Sequence, residues 1–175
     1  MTTPPHPITF TDRVRAAFGG VSQRIGHAVY RAGIHPDMIT AFGLLIVGVA
    51  AVLIGAGELL GGAIVLLIGL PFDALDGAVA RAMKRTGKFG ALLDSTLDRY
   101  ADALIFFAIG YYYAAQGRFD LLIVSGAALM GSFGVSYVRA RAEGLGVDVK
   151  IGLFSRLERV SVIIVALLYP PLLPV

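Results

Sequence analysis

Five apolar stretches set the limits on what this chain can fold into: about Pro36 to Ala56, Leu59 to Ala82, Gly90 to Ala115, Phe119 to Ala142 and Glu158 to Leu173. At ~1.5 Å of rise per helical residue, each is read as a crossing of roughly 30 Å of hydrocarbon. A backbone in lipid must satisfy its own hydrogen bonds, which leaves α-helices for segments of this length. A soluble domain of 175 residues with 57% hydrophobic and 15% charged residues would have no interior large enough for them. The expected fold is all-α: a polytopic membrane helical bundle over 34–175, with five spans in this chain.

Ahead of the bundle, Phe10, Val14, Phe18, Val21, Ile25 and Val29 recur at three- and four-residue spacing, with arginines between them. That pattern predicts an interfacial amphipathic helix over 10–33, anchored at the membrane surface behind a flexible Pro-rich tail, 1–9. No short signal core with a cleavage site precedes the first apolar run, so that run is expected to stay as a span. The absence of Cys excludes disulfides and thiolate metal sites. The three histidines sit at no ligand spacing.

Lysine and arginine favour the cytoplasmic ends of short loops. Fourteen of the fifteen basic residues flank the tail, the second connection or the fourth, and Arg118 alone lies on the other side. The tail and both basic connections are therefore expected in the cytoplasm, with the protein integral to the plasma membrane as a multi-pass chain. Tyr111, Tyr112 and Tyr113 then fall at the outer interface. The formal charge of +3 is positive-inside bias and points to no nucleic-acid partner.

Four carboxylates interrupt the second and third apolar stretches. Asp73, Asp76, Gly77, Ala80 and Arg81 share one helical face, and Asp94 and Asp98 share one on the next helix. The connection between them is short, so the helices run antiparallel and the two faces meet. Four negative charges in a poorly solvated site need cations. Two divalent ions balance them, and oxygen ligands without His or Cys favour Mg2+, with Mn2+ as a substitute. Gly77 and Ala80 leave room for a nucleotide, and Arg81 offers a fork of donors to phosphate. Asp102, one turn deeper than Asp98, reads as a structural partner. The 22 glycines read as helix contacts, as at Gly61, Gly62 and Gly131.

The pattern D-x2-D-G-x2-A-R-x8-G-x3-D-x3-D, formed by Asp73, Asp76, Gly77, Ala80, Arg81, Gly90, Asp94 and Asp98, resembles the signature of the CDP-alcohol phosphotransferases. The resemblance implies a homodimeric membrane enzyme of six spans that moves a phosphatidyl group from CDP-diacylglycerol to an alcohol and releases CMP. One span more than this chain carries is therefore expected. By the same resemblance Asp73, Asp76, Asp94 and Asp98 hold metal, and Asp98 also takes the alcohol proton. Gly77, Arg81 and Gly87 contact the donor nucleotide, as do Pro36, Asp37, Met38, Ile39 and Thr40. At that entry a Pro at the helix start leaves amides facing an anion.

The acceptor is read from Tyr137 to Glu143 and from Arg156 to Arg159, which border the fourth connection. Convergent guanidinium groups suggest a phosphorylated acceptor. These stretches are similar to those of the actinobacterial phosphatidylinositol-phosphate synthases, which implies inositol 1-phosphate held by Arg139, Arg141 and Arg159, with Arg156 as bystander. Glycerol 3-phosphate is the alternative acceptor. A cation transporter is the rival from another class, and the outer half of the bundle offers it almost no ionisable residue before Arg118.

Overall fold

The computed structural model describes residues 28, 31, 33, 35–82, 88–147 and 156–173, and at 36 and 71–82 the helix backbone alone. Nearly all of the interfacial helix expected over 10–33, and Gly87, lie outside the described residues. Among the described residues five helices follow one another: α1 (Pro36–Gly55), α2 (Leu59–Ala82), α3 (Lys88–Ala115), α4 (Phe119–Gly144) and α5 (Arg156–Leu168), with a 3-10 turn at Pro170–Leu172. Among the described residues there are no strands.

The ends of these helices are written in the chain. Pro36 occupies the first turn of α1, where no intrahelical donor is needed, and the Asp37 amide donates to Nδ1 of the extended cap residue His35 at 3.3 Å. Helices α1 and α3 both close on a left-handed glycine, Gly57 at φ 88° and Gly117 at φ 74°. In each, the glycine amide and the next one donate back to carbonyls of the last turn: Gly57 to Ile54 and Glu58 to Leu53, Gly117 to Ala114 and Arg118 to Tyr113. This closure reverses the chain within three residues and makes the next helix antiparallel.

Side-chain contacts give the directions of the rest. Positions 62 and 69 of α2 lie against Ile54 and Ile46 of α1, so these two helices are antiparallel. Gly90 near Asp37 and Gly55 near Tyr111 make α3 parallel to α1. Ser125 bonded to Phe106 and Ser132 bonded to Asp102 make α4 antiparallel to α3. Pairs from Arg156 to Asp98 and from Arg159 to Asp102 make α5 parallel to α3. The bundle alternates in direction throughout. It thereby collects the start of α1, the end of α2, the start of α3, the end of α4 and the start of α5 at one end.

Helix α1 is the hub, packed by α2 on one side and α3 on the other, while α4 lies on α3 and α5 on α2. Ile54 of α1, Ile105 of α3 and Leu167 of α5 are fully enclosed in the shared core, with Ala50, Ala63 and Leu66 around them. Outside, Val52, Ile68, Phe107 and Ile123 point away from the bundle. An outer surface of that character belongs in hydrocarbon. Among the described residues two helices, over Asp37–Gly55 and Phe119–Gly144, are long and apolar enough to cross a membrane, and Leu59–Leu70 is a shorter apolar helix.

The structure corrects two expectations. The last helix ends at Leu168 instead of continuing to Leu173, because Pro170 and Pro171 lack the amide hydrogens that would extend it. Its 13 residues cover only ~20 Å, less than a bilayer core. Gly131 makes no helix contact among the described residues, since a Cβ there would meet open space. Its neighbour Ser132 is the one that turns inward. Of the three consecutive tyrosines, Tyr113 is buried in the core while Tyr111 is exposed, because successive residues point ~100° apart on a helix.

Gly62 is the glycine contact that matters most. A Cβ placed on it would lie 2.5 Å from Ile54 Cγ1 and 3.3 Å from the Ala50 carbonyl, both on α1. Gly62→Val is expected to destabilise the bundle by ~1–3 kcal/mol, and thermal unfolding in detergent reads it. An unchanged melting temperature would mean that α1 and α2 are not in close contact here.

Candidate active site

Three aspartates form one stripe along α3, at Asp94, Asp98 and Asp102, each four residues apart. Burial deepens along it: Asp94 is exposed, the Asp98 side chain is 25% accessible and Asp102 is almost completely enclosed. The first turn of α5 faces this stripe because Arg156 and Arg159, three residues apart, lie on one side of it. Arg156 Nη1 sits 2.6 Å from Asp98 Oδ1, and Arg156 Nε sits 3.8 Å from Asp102 Oδ1. Arg159 Nη2 donates to Asp102 Oδ2 at 2.7 Å. From the third side, the Ser132 hydroxyl of α4 donates to the same oxygen at 2.6 Å. Arg99 donates to the Ser95 carbonyl and lies 3.8 Å from Asp98.

Between these groups is a cavity of about 120 Å³, whose wall includes Asp98, Asp102 and four arginines: Arg99, Arg139, Arg156 and Arg159. Ser136 and Val135 complete the wall. Among the described residues four guanidinium groups stand against two carboxylates there, an excess of two positive charges. A wider groove of about 440 Å³ adjoins it between α3 and α4. The groove shares Arg99 and Ser136 with the cavity and is otherwise lined by residues such as Thr96, Tyr100, Phe133 and Tyr137.

The second acidic pair of the expected metal set, Asp73 and Asp76, belongs to α2, as do Gly77 and Arg81; their side chains lie outside the described residues. Their backbone positions are informative. Asp76 is six residues before the end of α2 and Asp94 six after the start of α3; Asp73 is nine before and Asp98 ten after. In antiparallel helices joined by a short connection, these are the same two depths. Among the described residues no three acidic or histidine side chains converge. The donor set fits a hard divalent cation in kind, being carboxylate oxygens at matched depth with no sulfur or imidazole.

The α1 entry lies at the same end. A Cβ on Gly90 would come within 3.9 Å of Asp37 Oδ1, so the first turn of α1 borders the start of α3. Ile39 and Thr40 are partly buried there, whereas Met38 is exposed. Of the three arginines expected to hold an acceptor phosphate, the structure brings Arg139 and Arg159 into one cavity. Arg141 is exposed and is not part of the cavity wall. Arg156, expected to be a bystander, is in the wall and pairs with Asp98. Its spacing of three from Arg159 was the available signal. Ser132 had none, since one Ser among the small residues of α4 marks nothing until α3 is placed beside it.

Fold and site together define a helical membrane-bundle protein with carboxylates and guanidinium groups gathered at one end of the bundle. Residues 33–172 match the CDP-alcohol phosphatidyltransferase family, and the chain belongs to that family. It is 36% identical over 158 residues to the phosphatidylinositol phosphate synthase of Cutibacterium acnes, across 89% of this chain and 76% of that protein. The crystal structure of Mycobacterium tuberculosis phosphatidylinositol phosphate synthase with CDP-DAG bound superposes with a TM-score of 0.81 at 32% identity, covering 88% of this chain and 82% of that one. The same enzyme in complex with manganese and citrate gives a TM-score of 0.79 at 32% identity, over 87% and 78% of the two chains.

Proposed function

We propose that this protein transfers the phosphatidyl group of CDP-diacylglycerol to inositol 1-phosphate, giving phosphatidylinositol phosphate and CMP. The observation that carries the acceptor is the cavity beside Asp98, where two positive charges remain after the carboxylates are counted. A phosphate monoester carries about −1.5 to −2 at pH 7, which matches that excess. Arg139, Arg156 and Arg159 bind this phosphate, Arg156 also standing against the carboxylate that faces the reacting hydroxyl.

Asp73, Asp76, Asp94 and Asp98 would hold two Mg2+ ions, or Mn2+, which when bound neutralise charge on the donor pyrophosphate. Gly77, Arg81 and Gly87, with the first turn of α1 from Pro36 to Thr40, hold the nucleotide and phosphates. Asp98 orients the acceptor hydroxyl and takes its proton. The hydroxyl oxygen forms a bond to the phosphorus bearing the lipid, the bond from that phosphorus to the CMP oxygen breaks, and CMP leaves. The acyl chains remain in lipid while the polar groups react at the end of the bundle.

This end faces the cytoplasm of a multi-pass plasma-membrane protein that pairs as a homodimer. Its basic residues support the orientation, since Arg139, Arg141, Arg156 and Arg159 lie at this end and Arg118, bound to Asp120 at 2.8 Å, lies at the other.

Competition between acceptors tests the assignment. Purified enzyme supplied with CDP-diacylglycerol should prefer inositol 1-phosphate over free inositol by ~10⁴-fold in kcat/KM, since buried donors left unpaired penalise an acceptor lacking the phosphate. Preference for glycerol 3-phosphate would assign the enzyme to phosphatidylglycerophosphate synthesis. Preference for a neutral alcohol would remove the phosphate pocket.

A further inference from the structure

Asp102 has no part in the chemistry just described, yet it is the most enclosed charged group among the described residues, at 5% accessibility. We infer that Asp102, with Ser132, is a positioning residue that sets the two α5 guanidinium groups to receive the acceptor phosphate. The inference rests on the reading that this cavity takes that phosphate.

The two oxygens of Asp102 are divided between the two arginines. Oδ2 accepts from Arg159 Nη2 at 2.7 Å, and Oδ1 lies 3.8 Å from Arg156 Nε. Ser132 Oγ, equally buried, donates to Oδ2 at 2.6 Å and holds the carboxylate's orientation. Both arginines and Asp102 itself line the cavity. A role in helix packing alone does not call for this arrangement, because apolar residues of similar volume fill a bundle core at least as well as a buried ion pair. A carboxylate beneath two arginines restricts long side chains before the ligand arrives, so less freedom is lost on binding. The guanidinium is also the group whose planar fork benefits most from fixed orientation.

The test compares wild type, Asp102→Asn and Ser132→Ala in detergent or nanodiscs with Mg2+ present. Asparagine keeps the shape and still accepts from Ser132, but loses the charge. Asp102→Asn is expected to raise KM for inositol 1-phosphate by ~10- to 100-fold, the range for losing a hydrogen bond between charged groups. Ser132→Ala should raise it by ~2- to 10-fold. KM for CDP-diacylglycerol should stay within twofold of wild type in both. A second readout needs no turnover: inorganic phosphate should bind the Mg2+-loaded variants more weakly by the same factors when no donor is present.

If Asp102→Asn does not fold, Ser132→Ala decides. Unchanged acceptor KM and phosphate affinity in the folded variants would overturn the inference, as would equal increases in both KM values. If wild type prefers glycerol 3-phosphate, the proposed acceptor fails while the inference is tested with glycerol 3-phosphate in the same assay.

Discussion

Asp98→Asn is expected to cut CMP release from CDP-diacylglycerol by ~10³-fold or more, while the protein purifies and melts close to wild type. Asp98 sits at the mid-depth of the α3 stripe, beside the cavity proposed for the acceptor and four residues from Asp94. It is asked to do two things at once, to ligate a cation and to accept the acceptor proton. General-base loss alone costs about 10²–10⁴-fold, and weakened metal binding adds to it. The structural cost is small by comparison, because the Asp98 side chain is a quarter accessible and asparagine can still accept from Arg156. A chelator should bring wild type to the same low level, and added Mg2+ or Mn2+ should restore wild type far more than the variant. Full transfer without a divalent ion would defeat the metal reading, and substantial turnover by Asp98→Asn would remove its role as base.

The second large effect is on stability. Arg159→Met removes the 2.7 Å partner of a carboxylate that has almost no access to water. Deleting one member of a buried pair costs about 3–5 kcal/mol, because the other charge stays buried without its counterion. Ser132 remains as a donor, and Arg156 is 3.8 Å away, so the low end of that range is expected. The double variant Asp102→Leu with Arg159→Met should regain most of the lost stability while remaining unable to use the phosphorylated acceptor. Unfolding in detergent and acceptor kinetics separate the two outcomes. If the single variant were as stable as wild type, Asp102 would not depend on Arg159. If the double variant recovered acceptor use, Arg159 would not be a phosphate ligand.

Much of the fold was legible because helix ends carry local chemistry. Pro36 was read as the start of α1, and the observed helices start and stop within a few residues of the apolar stretches. The last helix is the exception. Its apolar run continues through Leu172 and Leu173, but hydropathy does not register that Pro170 and Pro171 cannot donate. Gly131 failed for a related reason: small residues are common along α4, and composition does not say which of them faces α3.

Site residues divide in the same way. Asp94 and Asp98 were placed on one face from their spacing within one helix, and the matched depth of Asp73 and Asp76 follows from two helices and a short connection. Arg139, Arg141 and Arg159 were expected at the acceptor phosphate from the resemblance to the phosphatidylinositol-phosphate synthases, and the structure brings only Arg139 and Arg159 of the three to one cavity wall. Arg156 was set aside because positive-inside bias accounts for any arginine at that end, and only its 2.6 Å approach to Asp98 separates it from the rest.

What the sequence determined by itself, then, was whatever depends on neighbours within about a turn: the helical segments, the acidic motif and the sidedness of charge. Local spacing and transfer free energy suffice for these. The tertiary structure decided which distant groups share a dielectric cavity. Asp102, Ser132 and Arg159 come from three helices, separated by 30 and 57 positions from Asp102, and the carboxylate is tolerable only where all three meet. No local pattern encodes that meeting, because it is set by how α4 packs on α3 and α5 on α2.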